Sequence, residues 1–397
     1  MLIDFMTDQR TRWVAGCMTG TSLDGLDVTL AHIRGKGLDL EVRPMGTASQ
    51  PLGDLRTILK AFTAAQPAPP IEYMRASRRL GELHADAVGH LCDKYLPDHC
   101  PLDFVVAHGQ TVWHAPHEHL SWQLLDPWPI ARRFKVPVCY DLRQADLIAC
   151  GEGAPITPLA DWILLCHAKR HRLIVNLGGI CNITFLPAGC QPNQITGRDI
   201  TACNLLIDGV VQIKFPHLRY DQDGQIGKQG QPADNGNFIK DILESKEYMN
   251  RFVDQRCHGQ SLGRENFARQ NIDFLLRKAP ENMSPHDLVA TAVDYVALRV
   301  SAAIEAQRSQ LKMPHTDLEI VLAGGGARNP CLLERIKTHC NRSDHVLLID
   351  DLGIPCHARE ALAFATLGAL SQDRIPISQS QVTRSTNPLI AGTWIFP

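Results

Sequence analysis

The hydrophobic positions fall into short runs that end in glycine turns, and the sequence does this twice. RWVAGCMTG (12–20) reads as a strand running into such a turn. LDVTLAHI returns with apolar Val28, Leu30 and Ile33 set among polar neighbours, the alternation of a strand. LEVRPM is a third strand. Helical stretches follow around 51–65 and 71–97, separated by Pro67, Pro69 and Pro70. DFVVAHG and KVPVCYDLR are further buried strands. The pattern then restarts: RLIVNLGGI runs into a glycine turn, CNITFLP returns, a short third strand approaches Thr196 to Asp199, and NLLIDGVVQ is a helix. This order predicts an internal duplication. It differs from a dinucleotide fold, where a helix follows the first glycine loop.

Residues 217–235 are polar and Gly-rich and read as a loop or insertion. Helices are predicted near 236–246, 262–277 and 286–309, the last with Ser284 as N-cap and Pro285 at the first helical position. LEIVLAGGGARNP is a strand, a glycine turn and a helix start. HVLLID is a last strand, and HAREALAFATLGAL a last amphipathic helix.

Length and composition place these elements in an α/β protein of two domains. The 397 residues suffice for two cores, and 44% hydrophobic with 21% charged residues is ordinary for a globular chain. A formal net charge of -2 supplies no field toward nucleic acid or anionic membrane. No apolar run reaches the roughly 20 residues of a membrane span. The opening MLIDFMTDQRTRW carries Asp4 and Asp8 and no basic segment, which argues against a secretory signal. The 13 cysteines include no CxxC pair, so reduced thiols in cytoplasm are expected rather than a disulfide framework or zinc site.

Five segments carry candidate chemistry. In GTSLDG, Gly20 and Gly25 let backbone N–H groups turn toward an anion, Thr21 and Ser22 add hydroxyls, and Asp24 is a candidate magnesium ligand; an ordinary hairpin turn is the competing reading. In LAGGGARNP, Gly324, Gly325 and Gly326 permit close approach of a flat ligand such as a base and ribose, with Arg328 and Asn329 at the helix that follows. In NLGGICNIT, Asn176, Gly178, Gly179 and Asn182 form either a ligand wall or a tight hairpin. In TGRDITACN, Asp199 stands at a strand end, with Thr201 and Asn204 at the head of the next helix. It reads as a base beside a phosphate or as a plain helix cap, and sequence alone favours the cap. Finally, His108, Gln110, Asp141, Arg143, Asp146 and Glu152 are hydrogen-bonding residues that suit a polyhydroxy sugar bearing a carboxylate. His114, His117 and His119 have metal-like spacing but no completing Cys or carboxylate.

Taken in order, GTSLDGLDVTL, HGQTVWHAP, DLRQADLIACGEGAPITPLAD, NLGGICNIT, SLGRENF, DLVATAVDYVA, LAGGGARNP and AREALAFA make the chain resemble the anhydro-N-acetylmuramic acid kinase family over nearly its whole length. The resemblance implies an actin-like ATPase (ASKHA) architecture of two RNase-H-like domains with a nucleotide cleft between them. The first is expected over 1–136, completed by 372–397, and the second over 137–371, carrying the adenosine loop. The implied reaction uses ATP and Mg2+ to phosphorylate O6 of 1,6-anhydro-N-acetylmuramic acid while water opens the anhydro ring. The product is N-acetylmuramic acid 6-phosphate, a step of cell-wall recycling. GTSLDG is similar to the first phosphate loop, and Asp199 matches the catalytic base. Glu360 matches a residue near the sugar, and Arg143 and Asp146 lie in a sugar-facing segment. A homodimer is the implied assembly.

The chain departs from the family pattern at several points. Where the pattern is Asp-Thr-Gly-Pro-Gly-Asn, this chain has Asp199-Ile200-Thr201-Ala202-Cys203-Asn204. Ala202 and Cys203 cannot take positive φ without strain, so a differently shaped loop is expected. Gly-Gly-Gln-Gly is replaced by Cys150-Gly151-Glu152-Gly153, Pro-Pro-Lys-Ser by His258-Gly259-Gln260-Ser261, and Thr-Gly-Ala by Thr383-Arg384-Ser385. Two other functions fit the same features: a kinase for another anhydrosugar such as levoglucosan, and a non-catalytic nucleotide-binding protein.

Overall fold

The computed structural model describes residues 10–20, 23, 25–233, 237–245, 264–311, 318–341 and 344–397. Internal packing divides the chain into two units. One comprises Met1–Cys166, Cys190–Ile195 and His357–Pro397, the other His167–Gly189 and Thr196–Cys356.

The first unit is built on a sheet of β1 (Thr11–Thr19), β2 (Leu26–Arg34), β3 (Glu41–Gln50), β4 (Phe104–Ala107), β7 (Val138–Tyr140) and β13 (Thr393–Ile395), in the order β13-β7-β4-β1-β2-β3. A separate hairpin pairs β5 (Gln110–Ala115) with β6 (Leu120–Leu124). β1 runs antiparallel to β2 and parallel to β4, and every residue from Val14 to Thr19 is buried. Such continuous burial is what a central strand covered on both faces requires. One cover is the helix Arg359–Gln372. A Cβ on Gly16 would lie 2.0 Å from the Ala361 carbonyl oxygen, and one on Gly368 would lie 2.1 Å from Val106 Cγ2. The helix seats on the sheet only because both positions are glycine. Arg12 fixes its far end, with guanidinium nitrogens 2.9 and 3.1 Å from the two Asp373 carboxylate oxygens. The other face receives the helix Pro70–Tyr95 through Leu80, Val88 and Leu91.

The second unit repeats the plan. Its sheet has the order β10-β9-β8-β11-β12, from β8 (His171–Leu177), β9 (Ile180–Leu186), β10 (Thr196–Ala202), β11 (Leu318–Ala323) and β12 (His345–Leu348). β8, β9 and β10 form an antiparallel meander, and β11 lies parallel to both β8 and β12. This is the pairing of β1, β2, β3, β4 and β7, so the duplication legible in the sequence is a duplication of sheets. The helix Pro285–Leu311 begins as expected: Ser284 Oγ accepts from Asp287 N–H at 3.1 Å and donates to Asp287 Oδ2.

The HGQTVWHAP segment supplies β5 of the β5–β6 hairpin, where His114 Nδ1 is 3.0 Å from Ser121 Oγ and His119 Nδ1 2.9 Å from the Leu147 carbonyl. Two expectations are corrected. The helix Arg359–Gln372 is not amphipathic, since all its residues but Glu360 and Gln372 are buried. Residues 217–235 include a short helix, Gln225–Gln229, tied back by Asp221. Among the described residues, no helix is long and apolar enough to cross a membrane.

Candidate active site

In the first unit, β1 delivers the chain to the first glycine turn. The Leu23 N–H bonds the Gly20 carbonyl at 3.3 Å, and Leu23 takes φ 56 to reverse direction. Gly20 and Gly25 flank the turn, while Thr21, Ser22 and Asp24 lie outside the described residues. The HGQT segment joins the end of β1: His108 N–H bonds the Cys17 carbonyl at 3.1 Å, and Thr19 Oγ1 donates to the Gly109 carbonyl at 2.6 Å. The buried His108 ring stacks on Phe364 with centroids 4.6 Å apart, and Arg143 Nε approaches its Nε2 at 3.3 Å. Gln110 is buried, and its Oε1 has no partner among the described residues. An orphaned acceptor of this kind is a natural anchor for a ligand donor.

Arg143 and Asp146 do something their sequence position did not disclose. Arg143 Nη1 donates to the Gly153 carbonyl at 2.7 Å. Asp146 Oδ2 accepts the Gly153 N–H at 2.6 Å, and its Oδ1 accepts Thr383 Oγ1–H at 2.7 Å. Glu152 N–H bonds the Thr383 carbonyl at 2.8 Å. The two residues therefore fasten loop 150–153 to the C-terminal segment. Thr383, 237 residues from Asp146, is a partner that no local pattern could reveal. Cys150 and Arg384 have φ 61 and 65. Glu360 is half-buried in the first turn of its helix, beside Arg359, whose guanidinium pairs with buried Asp161.

In the second unit, Gly178 and Gly179 are the two-residue turn between β8 and β9. Their carbonyls accept the N–H groups of Cys203 (2.9 Å), Asn204 (3.1 Å) and Leu205 (3.2 Å). The first amides of the helix Asn204–Lys214 are thus spent on the turn, and this end is not an open anion site. Asn204 Nδ2 donates to the Leu177 carbonyl at 3.1 Å. Gly324 meets the same place: it has φ 86, and a Cβ there would lie 2.6 Å from Asn176 Oδ1. A Cβ on Gly326 would lie 2.9 Å from Asn204 Oδ1, whereas Gly325 meets nothing nearer than Asn204 Nδ2 at 3.6 Å. Gly178, Gly179, Asn204 and Gly324–Gly326 are accordingly brought together. Asn329 caps the helix Pro330–His339, its side chain accepting from Leu332 N–H at 3.1 Å.

Asp199 lies within β10, opposite Asn182, and the register shifts between Asp199 and Thr201. The strand runs on to Ala202, and the following helix has Cys203 as its N-cap with no side-chain cap. The cap reading of Asp199 is therefore wrong. Cys203 has φ -117 and ψ -98, so the turn takes another shape from one built on glycine at positive φ. Thr201 is fully buried, with a hydroxyl unpartnered among the described residues. Burial pushes the Cys181 thiol far up, with further upward pressure from Cys203 and Asp199 and downward pressure from Arg299. The Asp199 carboxylate and the Arg299 guanidinium thus share one electrostatic neighbourhood. Arg198 is held below its usual range by burial and then by Arg299.

A Cβ on Gly178 would press on the Ile180 carbonyl oxygen at 3.3 Å, so of the two positions only Gly325 is open to a side chain. Asp24 is a hard carboxylate of the kind that shares magnesium with substrate phosphates. Among the described residues, no cluster of three or more His, Cys, Asp or Glu could hold a metal.

Two sheets of one order, each opening on strand, glycine turn and strand, are the paired RNase-H-like repeats of the actin-like ATPase superfold. The family model described as anhydro-N-acetylmuramic acid kinase matches residues 12–397, and the chain belongs to that family. Similar proteins carry the same name. That of Prochlorococcus marinus (strain MIT 9313) is 34% identical over 397 residues, covering 97% of this chain and 99% of that protein. That of Synechococcus sp. (strain CC9902) is 32% identical, covering 96% and 99%. That of Bacillus cereus (strain ATCC 14579) is 30% identical, covering 97% of each.

Proposed function

We propose that this protein is a cytoplasmic, ATP- and magnesium-dependent anhydrosugar kinase acting on 1,6-anhydro-N-acetylmuramic acid. The observation that carries the reading is the family match over residues 12–397. Water adds to the anomeric carbon, the bond from that carbon to O6 breaks, and O6 takes the γ-phosphoryl group of ATP. The products are N-acetylmuramic acid 6-phosphate and ADP. Asp199 accepts the proton of the attacking water. Phosphoryl transfer asks chiefly for positioning and charge neutralisation. The backbone of Gly20 to Ser22 provides both, and magnesium held at Asp24 supplies positive charge when bound. This role falls to the first turn because the amides after Cys203 already face Gly178 and Gly179. Gly178, Gly179, Thr201, Asn204, Gly324–Gly326 and Asn329 are assigned to the nucleotide. His108, Gln110 and Glu360 are assigned to the sugar, with Arg143 and Asp146 holding loop 150–153. The assembly is taken to be a homodimer.

The test is ADP release with the anhydromuramic sugar, with levoglucosan and with no sugar. Release with the first alone is expected. Equal release with levoglucosan would reassign the substrate, and background release throughout, in a folded sample, would reduce the protein to a nucleotide binder.

A further inference from the structure

Cys166 and Cys190 lie 24 residues apart in sequence, yet their sulfur atoms are 3.8 Å apart. The backbone arranges this from two sides. Trp162, one helical turn before Cys166 on the helix Pro158–Leu165, donates its indole N–H to the Cys190 carbonyl at 2.8 Å. Just beyond the cysteines, Gly189 N–H bonds the His167 carbonyl at 3.0 Å. The two chain segments are therefore hydrogen-bonded next to the thiols, which are the next pair outward. Such pairing brings backbones into the range that a disulfide spans, with a sulfur shift of under about 2 Å needed to reach bonding distance. The two thiols differ in access: Cys166 is half-exposed, whereas Cys190 is 4% exposed.

We propose that Cys166 and Cys190 are a reversible dithiol–disulfide modification site that responds to hydroperoxides. The Cys166 thiolate attacks one peroxide oxygen. The O–O bond breaks, the sulfur becomes a sulfenic acid, and the other oxygen leaves as an alcohol or, from hydrogen peroxide, as water. Cys190 then attacks the Cys166 sulfur. The S–S bond forms, the S–O bond breaks, and the departing hydroxide takes the Cys190 proton and leaves as water. Two thiols are oxidised by two electrons and one peroxide is reduced. Burial and the neighbouring Cys166 push the Cys190 thiol up to about 12, so Cys190 suits the resolving role and not the first attack. The bridge closes a covalent loop around β8, β9 and the Gly178–Gly179 turn, and constraining that loop in the unfolded chain raises the melting temperature.

The experiment treats the full chain with hydrogen peroxide and maps its peptides without reduction. A linked pair containing Cys166 and Cys190, two hydrogens lighter than the separate peptides, is expected. Dithiothreitol should release it and return the raised melting temperature to its starting value. In Cys190→Ala, Cys166 should halt as a sulfenic acid trapped by dimedone, and in Cys166→Ser, Cys190 should remain a free thiol. Exposed Cys150 reports that oxidant reached the protein. Oxidised Cys150 beside unlinked Cys166 and Cys190 in the wild-type chain would overturn the proposal. So would links from Cys166 to any other cysteine. The wild-type map decides the matter even where a variant fails to fold.

Discussion

The two units set a side chain at a tight turn in opposite ways. In the first, Cys150 and Arg384 take left-handed backbone, at φ 61 and 65. In the second, Cys203 takes φ -117 and ψ -98. The difference lies in what surrounds each turn. Loop 150–153 is gripped by Arg143 at the Gly153 carbonyl, by Asp146 at the Gly153 N–H, and by Thr383 against Glu152. That network over-determines the backbone, so a side chain is accepted at a left-handed position for roughly 1–2 kcal/mol of strain. The turn at Cys203 is held by the Gly178 and Gly179 carbonyls and by Asn204 Nδ2 at the Leu177 carbonyl, contacts made with its backbone outside the left-handed region. Polar contacts fix both turns, and only those of the first hold a side chain in left-handed backbone.

The largest expected effect separates chemistry from scaffolding. Asp199→Asn should cut ADP release by about 10²–10⁴-fold while leaving nucleotide and sugar binding near wild type. Asp146→Asn should instead lower stability by about 1–3 kcal/mol, since it leaves buried partners unmatched, and should raise the KM for sugar. Near-wild-type turnover in folded Asp199→Asn would remove the base from the mechanism.

Acid should tell the units apart next. His84, buried in the first unit, is pushed down to about 4 by burial, only partly offset by its bond to the Leu80 carbonyl. Its unfolded form takes up a proton near pH 6.5, so stability falls as pH drops from about 6.5 to about 4, at up to ~1.4 kcal/mol per pH unit. Glu319 in the second unit is depressed: burial raises it, but Arg170 and Arg172 lower it further. Its contribution is present above its unfolded value and is lost only as pH falls through the lower folded one. Amide exchange at pH 5 should therefore quicken in the helix Pro70–Tyr95 before it does in β11. Simultaneous loosening would erase the contrast.

Smaller effects probe the turns themselves. Cys150→Gly and Arg384→Gly should each stabilise by up to about 1 kcal/mol in urea melts, because strain is relieved while the unfolded chain gains freedom. Cys203→Gly should bring no gain and cost less than about 1 kcal/mol, because a fully buried thiol is lost and there is no left-handed backbone to relieve. A large gain at Cys203 would mean that its turn is strained like the others.

Sequence periodicity disclosed the repeated strand–turn–strand because each strand is a contiguous apolar run, and the Ser284 cap because its partners are local. The β5–β6 hairpin escaped notice because its tryptophans are half-exposed: Trp113 at 52% and Trp122 at 45% lie among histidines and polar residues, blurring the alternation. The burial of the helix Arg359–Gln372 escaped because small residues, Ala361, Ala363, Ala365 and Gly368, signal close packing without a strong apolar stripe. Asp199 was misread as a cap because sequence does not show a register shift that lets β10 continue to Ala202. The partners of Asp146 depend on a contact between chain segments far apart in order.

The seating of the Arg359–Gln372 helix on Gly16 of β1 also sets an order of events during synthesis. An early strand is covered by a late helix. At ~5–20 residues per second, a ribosome takes on the order of tens of seconds between them, during which all of His167–Cys356 emerges. Throughout that interval the Gly16 face of β1 lacks this helix, although its opposite face already has the helix Pro70–Tyr95. Nascent chains arrested just short of Arg359 should therefore hold a chaperone at their N-terminal strands.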